Sequence, residues 1–210
     1  MNDARWRAGC FGKVRSYGDF VTRNLPSGFV ARWDAMLQAG MLASRAAHGD
    51  DWLTIYLRAP LWYFVLGPDV VDENAWGGVL MPSVDSVGRH FPLTIAAATG
   101  RDLGDGTDVD YACFIDARSW FERCGELALA TLDATTTLPE LEHGLATLDS
   151  VASDGEAHHA AWPVASCERG ASLWWTDGPD GIAPSVRQCP GLPGAVQLSG
   201  LFDGDPTGWT

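Results

Sequence analysis

The sequence predicts an α/β fold in which a central, mainly antiparallel sheet is flanked by helices on both faces, as a three-layer sandwich. Apolar runs over 61–66, 78–82 and 91–98 are typical of buried strands. The gaps between these runs are shorter than the dozen or more residues that a helical crossover needs, so neighbouring strands are expected to pair antiparallel. Two long amphipathic helical patterns, separated by the strands, supply the outer layers.

Composition sets the broad class of the chain. Its 210 residues are 46% hydrophobic and 10% aromatic, which favours a single domain that spans residues 1–210 and has a sizeable core. The 27 acidic against 14 basic residues give a formal net charge of -13, and no basic cluster could neutralise a phosphate backbone, so nucleic acid is not an expected partner. No signal peptide and no apolar segment of roughly 18 residues is present, so we expect a cytoplasmic protein without membrane insertion.

The elements before the three strands follow from local patterns. AGCFGKV is expected to form a first strand, and the following SYGDF, with its turn signal Gly18-Asp19, a loop. Ser27 is expected to cap a helix over 28–47, whose apolar residues recur at helical spacing. Asp50-Asp51 are expected to cap a shorter helix, which Pro60 ends.

The elements after the strands include two more helices. GRDLGDGTDVD is expected to be a surface loop, and Asp116 to cap a helix over 117–132. Pro139 is expected to begin another helix, which reaches about Leu148. One face of the first of these helices is predicted to be buried, and its residues are Trp120, Phe121, Cys124, Leu127, Ala128 and Leu132.

The C-terminal third is less regular. DSVASDGEAHHAAWP is rich in polar and small residues and is expected to connect elements flexibly. SLWWTD is predicted to be a strand, and PGLPGAVQLSGLF to hold a short final helix. The aromatic runs Trp62-Tyr63-Phe64 and Trp174-Trp175 are expected to supply core residues more than a ligand pocket.

A polar island separates two apolar runs between Gly78 and Ala98. The runs are GVLMP and FPLTIAAA, and the island is expected to be a hairpin connection. Its polar residues are Ser83, Asp85, Ser86, Arg89 and His90.

The island admits three interpretations. In the first, Asp85 and Ser86 bond the turn backbone, Gly88 supplies a positive φ, and Arg89 pairs with the carboxylate of Asp85 or of Asp19. In the second, Arg89 meets the carboxylate of a partner protein. In the third, Ser83 or His90 serves a hydrolase, but a triad confined to one hairpin without a G-x-S-x-G elbow is unfavourable. We therefore expect no enzyme here.

Other candidate sites are weaker. Gly9, Gly12 and Lys13 lack the spacing of a phosphate-binding loop, and Gly12 is better explained by a close backbone approach. His158-His159 with Glu156 lack further ligands for a metal. The five cysteines form no C-x-x-C pair and are expected to be reduced and mostly buried; they are Cys10, Cys113, Cys124, Cys167 and Cys189. No cofactor is expected.

Several long segments resemble the TagF (ImpM) family of proteins associated with bacterial type VI secretion. The most specific is GVLMPSVDSVGRHFPLTI, and GCFGKVRSYGDF followed by a helix with W-D is a second match. LRAPLWYFVLGP, SLWWTDG, APSV and CPGLP follow the same order, so the resemblance spans nearly the whole chain. The closing QLSGLFDGDPTGWT departs from the apolar helix expected there.

The resemblance implies a cytoplasmic α/β protein that restrains the type VI machine after translation. It also implies type VI components as partners, with a forkhead-associated scaffold protein the leading candidate. Some relatives are fused to a metal-dependent protein phosphatase, and that activity is not expected from these 210 residues. Simple sequestration of a partner is an alternative that the sequence leaves open. The candidate partner-binding or structural motif consists of Gly18, Asp19, Ser83, Asp85 and Arg89.

Overall fold

The computed structural model describes residues 7–98, 118–148, 168–178, 183–205 and 207–209. Within them, seven strands form one sheet in the order β2-β1-β5-β4-β3-β6-β7, and every neighbouring pair is antiparallel. The strands are β1 (Gly9–Lys13), β2 (Phe20–Arg23), β3 (Trp62–Leu66), β4 (Trp76–Met81), β5 (Leu93–Ala98), β6 (Ala171–Thr176) and β7 (Ser185–Pro190). The predicted α/β class and antiparallel sheet are confirmed.

Five α-helices accompany the sheet in the described ranges. They are α1 (Ser27–His48), α2 (Trp52–Arg58), α3 (Arg118–Ala130), α4 (Leu138–Leu148) and α5 (Ala195–Asp203). A 3-10 turn over Gly49–Asp51 joins α1 to α2. None of these helices has the length and apolar character needed to cross a membrane.

Two of the predicted helix caps are wrong. Pro26, not Ser27, precedes the first residue of α1, and no side-chain hydrogen bond caps that end. Asp50-Asp51 lie in the 3-10 turn, and Asp51 likewise makes no capping bond to α2. In both places the chain enters the helix from a restrained backbone, a proline or a preceding turn, so the start does not depend on a side-chain acceptor.

Adjacent residues of β3 belong to two separate hydrophobic clusters. Tyr63 and Val65 pack in a cluster that contains residues of α3 and α4. Phe64 and Leu66 pack in a second cluster, which contains residues of α1, α2 and α5. Because successive strand side chains point to opposite sides of a sheet, the two clusters lie on opposite faces. The aromatic runs of β3 and β6 are therefore core residues, as predicted.

One predicted detail of the core comes out differently. Cys124 is fully buried, as expected, but Leu132 is 42% exposed because α3 ends at Ala130 and Leu132 lies in the following turn. The free thiols of Cys10, Cys124 and Cys189 are buried, and burial raises the pKa of Cys10 to about 12. The expectations for Asp116, the loop GRDLGDGTDVD, the connector DSVASDGEAHHAAWP, and Cys113 and Cys167 concern residues outside the described ranges.

Two strands were not predicted. β2 follows the turn in SYGDF and pairs with β1, and β7 pairs with β6 at the other edge of the sheet. In β2 only Val21 is buried, and in β7 only Arg187 and Cys189 are. An edge strand that buries so few side chains leaves a weak apolar pattern in the sequence.

Candidate functional site

The polar island forms a closed turn between β4 and β5. An isolated antiparallel bridge joins Val84 to His90 at its base, and the backbone N–H of Asp85 donates to the carbonyl of Arg89 over 3.0 Å. Gly88 has a φ of +86° at the tip, a conformation that glycine adopts without strain. The predicted hairpin connection and the positive φ of Gly88 are confirmed.

Asp85 is the centre of this turn. Its Oδ1 accepts the backbone N–H groups of Val87 at 3.0 Å and Arg89 at 2.8 Å. Its Oδ2 accepts Lys13 Nζ at 2.6 Å and Arg89 Nε at 2.7 Å. The side chain of Asp85 is 0% exposed, so both oxygens make their bonds away from water. The carboxylate of Asp85 thus links the turn to β1 through Lys13, and it closes the turn through Arg89.

Lys13, the only lysine in the chain, is the buried partner of this carboxylate. It ends β1, its side chain is 5% exposed, and its ammonium lies 4.5 Å from the ring centroid of Phe20. Its backbone carbonyl accepts the Ser83 hydroxyl at 2.8 Å. Neighbouring Gly12 lies close to the backbone of Pro92, because a Cβ there, at a φ of +138°, would collide with the Pro92 carbonyl oxygen. The close backbone approach predicted for Gly12 is therefore observed.

The turn between β1 and β2 is fastened to the island. The backbone N–H of Ser86 donates to the carbonyl of Tyr17 at 3.1 Å, and the Arg89 guanidinium donates to the carbonyl of Gly18. Asp19 does not meet Arg89; its carboxylate accepts the backbone N–H of Phe20 at 2.8 Å. Of the two carboxylates considered for Arg89, the structure therefore pairs it with Asp85.

Opposing effects set the protonation of Asp85. Burial by itself raises the pKa of this carboxyl, but the hydrogen bonds from Lys13, Arg89 and the backbone N–H of Val87 outweigh burial and hold the pKa well below its ordinary value. Asp85 is therefore ionised at neutral pH, and it balances the charge of Lys13 in the protein interior.

Four large side chains are among those around this network that reach solvent. Arg89 pairs through its Nε but its side chain is 57% exposed, and Val87 at the tip of the turn is 68% exposed. Tyr17 and Phe20, which flank Gly18-Asp19, are 43% and 44% exposed. The Phe20 ring stacks on Phe11 and meets Phe91 edge-on. A rigid interior thus supports an exposed surface of aromatic, aliphatic and guanidinium groups.

The geometry at Ser83 and His90 does not assemble a nucleophile with a base. Ser83 is 2% exposed, its hydroxyl donates to the Lys13 carbonyl, and both its backbone groups bond the hydroxyl of Tyr56 at 3.0 Å. The His90 ring lies edge-on to Trp52 and Tyr56. Burial, with a contribution from Arg45, lowers the pKa of His90. Ser83 is thereby committed to holding the end of β4.

Tyr56 and Lys13 are the members of the network that the sequence did not assign to it. Tyr56 lies on α2 and is fully buried under the island, and burial raises the pKa of its hydroxyl well above the ordinary value. A single lysine inside an apolar strand was a usable signal for a buried ion pair. Its partner is 72 residues away, however, so the pairing itself is not visible in the sequence.

The described part of the chain contains no candidate metal site. No group of three or more His, Cys, Asp or Glu side chains there could hold an ion. His158-His159 and Glu156 lie outside the described residues.

Comparison with known proteins places the island within a family. Residues 9–148 match the family model described as TagF N-terminal domain, type VI secretion system-associated. No curated protein matches the chain. Among solved structures, the chain is similar to PA0076 from Pseudomonas aeruginosa PAO1, with 32% sequence identity, a TM-score of 0.77 and coverage of 94% of each chain. The matched range contains β1 to β5 and the whole island.

Proposed function

This chain belongs to the TagF family of type VI secretion-associated proteins, because the family model covers residues 9–148, and we propose that it is a cytoplasmic negative regulator of the secretion machine. In this proposal it acts after translation, through protein–protein contact and without catalysis. The supporting observation is the island, where a buried ion-pair network holds a small exposed surface in one conformation. A preorganised surface of this kind loses little conformational freedom on binding.

The docking face of this proposal consists of Tyr17, Phe20, Val87 and Arg89. Aromatic and arginine side chains are enriched among the residues that dominate binding energy at protein interfaces. Tyr17 and Phe20 flank Gly18 and Asp19, and Val87 and Arg89 belong to the island. The predicted motif, Gly18, Asp19, Ser83, Asp85 and Arg89, therefore lies partly within this face and partly beneath it. Ser83 and Asp85 are buried and support it, whereas Arg89 is exposed enough to contact a partner.

We also infer that 1–210 form one domain with the three-layer arrangement. The two clusters on opposite faces of β3 support it, because one contains residues of α3 and α4 and the other contains residues of α1, α2 and α5. A sheet covered on both faces offers a partner its ends, its edges and the outer sides of its helices. The docking face lies at one such end.

The partner proposed is a type VI component with a more basic face, and the forkhead-associated scaffold protein is the leading candidate from the family resemblance. The formal net charge of -13 would attract such a partner over long range. The attraction would weaken as salt shortens the Debye length, which is about 8 Å at physiological ionic strength.

The test is recovery of partners from lysate of the bacterium that produces the chain, with the tagged protein as bait, at low and at high salt. We expect a type VI component at low salt and less of it at high salt, identified by mass spectrometry. Recovery of no type VI component at either salt would contradict the proposal.

The substitution Arg89→Ala tests whether Arg89 stabilises the fold or contacts the partner. Asp85 keeps Lys13 and two backbone N–H donors, and Arg89 is 57% exposed, so we expect a stability loss of about 1 kcal/mol or less by thermal melts. Binding to the recovered partner should weaken by about 1–3 kcal/mol in a titration.

Arg169→Ala is the matched control for this prediction. Arg169 pairs with Asp69 at 2.6 Å, and its side chain is 53% exposed, so the same type of exposed pair is broken. Asp69 follows the end of β3 that lies away from the island, because Leu66 pairs with Trp76 and not with the end of β4. Equal partner affinity of Arg89→Ala and Arg169→Ala would show that Arg89 is not part of the docking face.

A further inference from the structure

A groove lies beside the island, between the ends of α2 and α3. Leu57 forms one wall, Leu129 and Leu132 form the other, and the end of β4 with Met81 and Ser83 forms the floor. Arg15, which follows β1 by two residues, completes the lining. The groove has a volume of about 410 Å³, within the range of sites that hold several side chains or a small molecule.

The walls of this groove are apolar and exposed. Leu57 is 56% exposed, Leu129 is 52% exposed and Leu132 is 42% exposed. Single exposed leucines are common on protein surfaces, but three that line one concavity are typical of a binding surface. The Ser83 hydroxyl on the floor already donates to the carbonyl of Lys13, so its proton is not free to bond a ligand.

The charge of the groove is opposite to that of the chain. Among the described residues that line the groove, Arg15 is the one charged side chain and none is acidic. Arg15 makes no ion pair in the part of the chain that the structure describes, although the sequence has 27 acidic residues and 14 basic ones. An unpaired guanidinium beside an apolar groove is complementary to a carboxylate that stands next to aliphatic side chains.

We infer that this groove binds an amphipathic segment of a partner protein, which places aliphatic side chains between α2 and α3 and a carboxylate on Arg15. The inference rests on the proposed function, because it assigns partner chemistry to a site continuous with the docking face. Ser83 and Val84 belong both to the groove and to the base of the island. A partner that is basic overall would be attracted to the acidic chain, and one acidic residue beside its apolar ones would pair with Arg15.

The test uses two synthetic peptides of roughly 15 residues, a length at which isolated helices are marginal, so that binding is coupled to folding. Each has leucines at helical spacing on one face and is otherwise uncharged, except for one residue beside the leucines that is Glu in one peptide and Lys in the other. We expect the wild-type protein to bind the Glu peptide about tenfold tighter in fluorescence anisotropy titrations. The substitution Arg15→Glu should reverse the preference, because it changes attraction into repulsion.

Two further variants locate the binding. Leu129→Asp should lower the affinity for both peptides, because it puts a charge on the apolar wall. Val186→Asp is the matched control, since Val186 is 55% exposed on the edge strand β7, and its binding should equal that of the wild type. Circular dichroism melts establish that each variant is folded.

Several outcomes would overturn the inference. They are equal affinity of the wild type for both peptides, no saturable binding of either, and binding unchanged in Arg15→Glu and Leu129→Asp. A wild-type dimer that Leu129→Asp converts to a monomer would assign the groove to a second copy instead. The peptides contain no type VI component, so failed recovery of type VI partners with intact peptide binding rejects only the proposed function. Unchanged type VI recovery by both groove variants rejects only the groove's role in it.

Discussion

Asp85→Asn is expected to lower the free energy of unfolding by about 3–5 kcal/mol, one of the two largest effects that we predict. The Asn oxygen can still accept the backbone N–H groups of Val87 and Arg89, so the turn geometry survives. What is lost is the negative charge beside Lys13, whose side chain is 5% exposed. A buried ammonium without a counter-charge is costly because no water replaces the missing carboxylate. Urea denaturation, with the slope compared between variants, measures the loss.

The exposed pair between Arg23 and Glu142 provides the control. Its atoms are also 2.6 Å apart, but the two side chains are 39% and 48% exposed. Glu142→Gln should therefore change stability by about 1 kcal/mol or less. Adding Lys13→Met to Asp85→Asn should restore part of the stability, because the uncompensated charge is then removed. A double variant that is no more stable than Asp85→Asn would show that the loss does not come from the buried charge.

The contribution of Asp85 should depend on pH in one direction. Its folded-state pKa lies below the unfolded value of about 3.9, so the folded chain resists protonation that the unfolded chain accepts. The stability that Asp85 contributes is present above about pH 4 and decreases as pH falls towards the folded-state pKa. The difference between the wild type and Asp85→Asn should thus be constant near neutral pH and shrink on acidification.

The central strands were predictable because the information about them is local. Each of β3, β4 and β5 is a continuous apolar run bounded by turn residues, and the short gaps alone require antiparallel pairing. The same local logic identified the island as a hairpin and Gly88 as its positive-φ residue. It failed at the edge strands β2 and β7, where few side chains are buried and pairing with a neighbour decides the conformation.

The support of the candidate site was only partly predictable, because its contacts join distant residues. Asp85 and Arg89 are four residues apart in one turn, so their pairing is visible in the sequence. Lys13 comes from β1 and Tyr56 from α2, and each meets the island only because the sheet and α2 are in place. The side chain of Arg89 is both paired and exposed, a combination that the sequence analysis did not predict.

The C-terminal helix has a similar long-range support, in Arg187 of β7. Its guanidinium donates from Nη1 to the carbonyls of Gly200 at 2.9 Å and Asp205 at 2.7 Å, and from Nη2 to the carbonyl of Gly204 at 2.7 Å. It lies 5.0 Å from the ring of Trp62 and is 6% exposed as a residue. One side chain thereby bonds three carbonyls at and just beyond the end of α5, and that of Gly200 also accepts the backbone N–H of Gly204 at 3.1 Å. The short helix predicted within PGLPGAVQLSGLF is α5, which includes residues 197–203 of the closing segment although that segment departs from the expected apolar pattern.

Arg187→Met should therefore destabilise α5 by about 3 kcal/mol, because it removes the charge-assisted hydrogen bonds to three carbonyls, of which that of Gly200 keeps the Gly204 N–H as a donor, while an apolar side chain stays near Trp62. Amide hydrogen exchange of the peptide 195–205, followed by mass spectrometry, measures this local change, and about a hundredfold faster exchange corresponds to the loss. Arg187→Lys should recover little of it, since one ammonium cannot reproduce the planar fork that reaches three carbonyls.

Arg32→Met is the control, because the exposed Arg32 makes a long bond of 3.5 Å to the Val70 carbonyl, far from α5 in the sequence, and its removal should leave exchange in 195–205 unchanged. Faster exchange throughout the chain in Arg187→Met would mean that α5 unfolds only with the sheet. Exchange in 195–205 equal to that of the wild type would show that α5 is held by its packing on α1, where Leu198 fills the space above Gly40, and not by Arg187. Local loss confined to 195–205 would instead establish that one buried cation from an edge strand fixes the end of the chain.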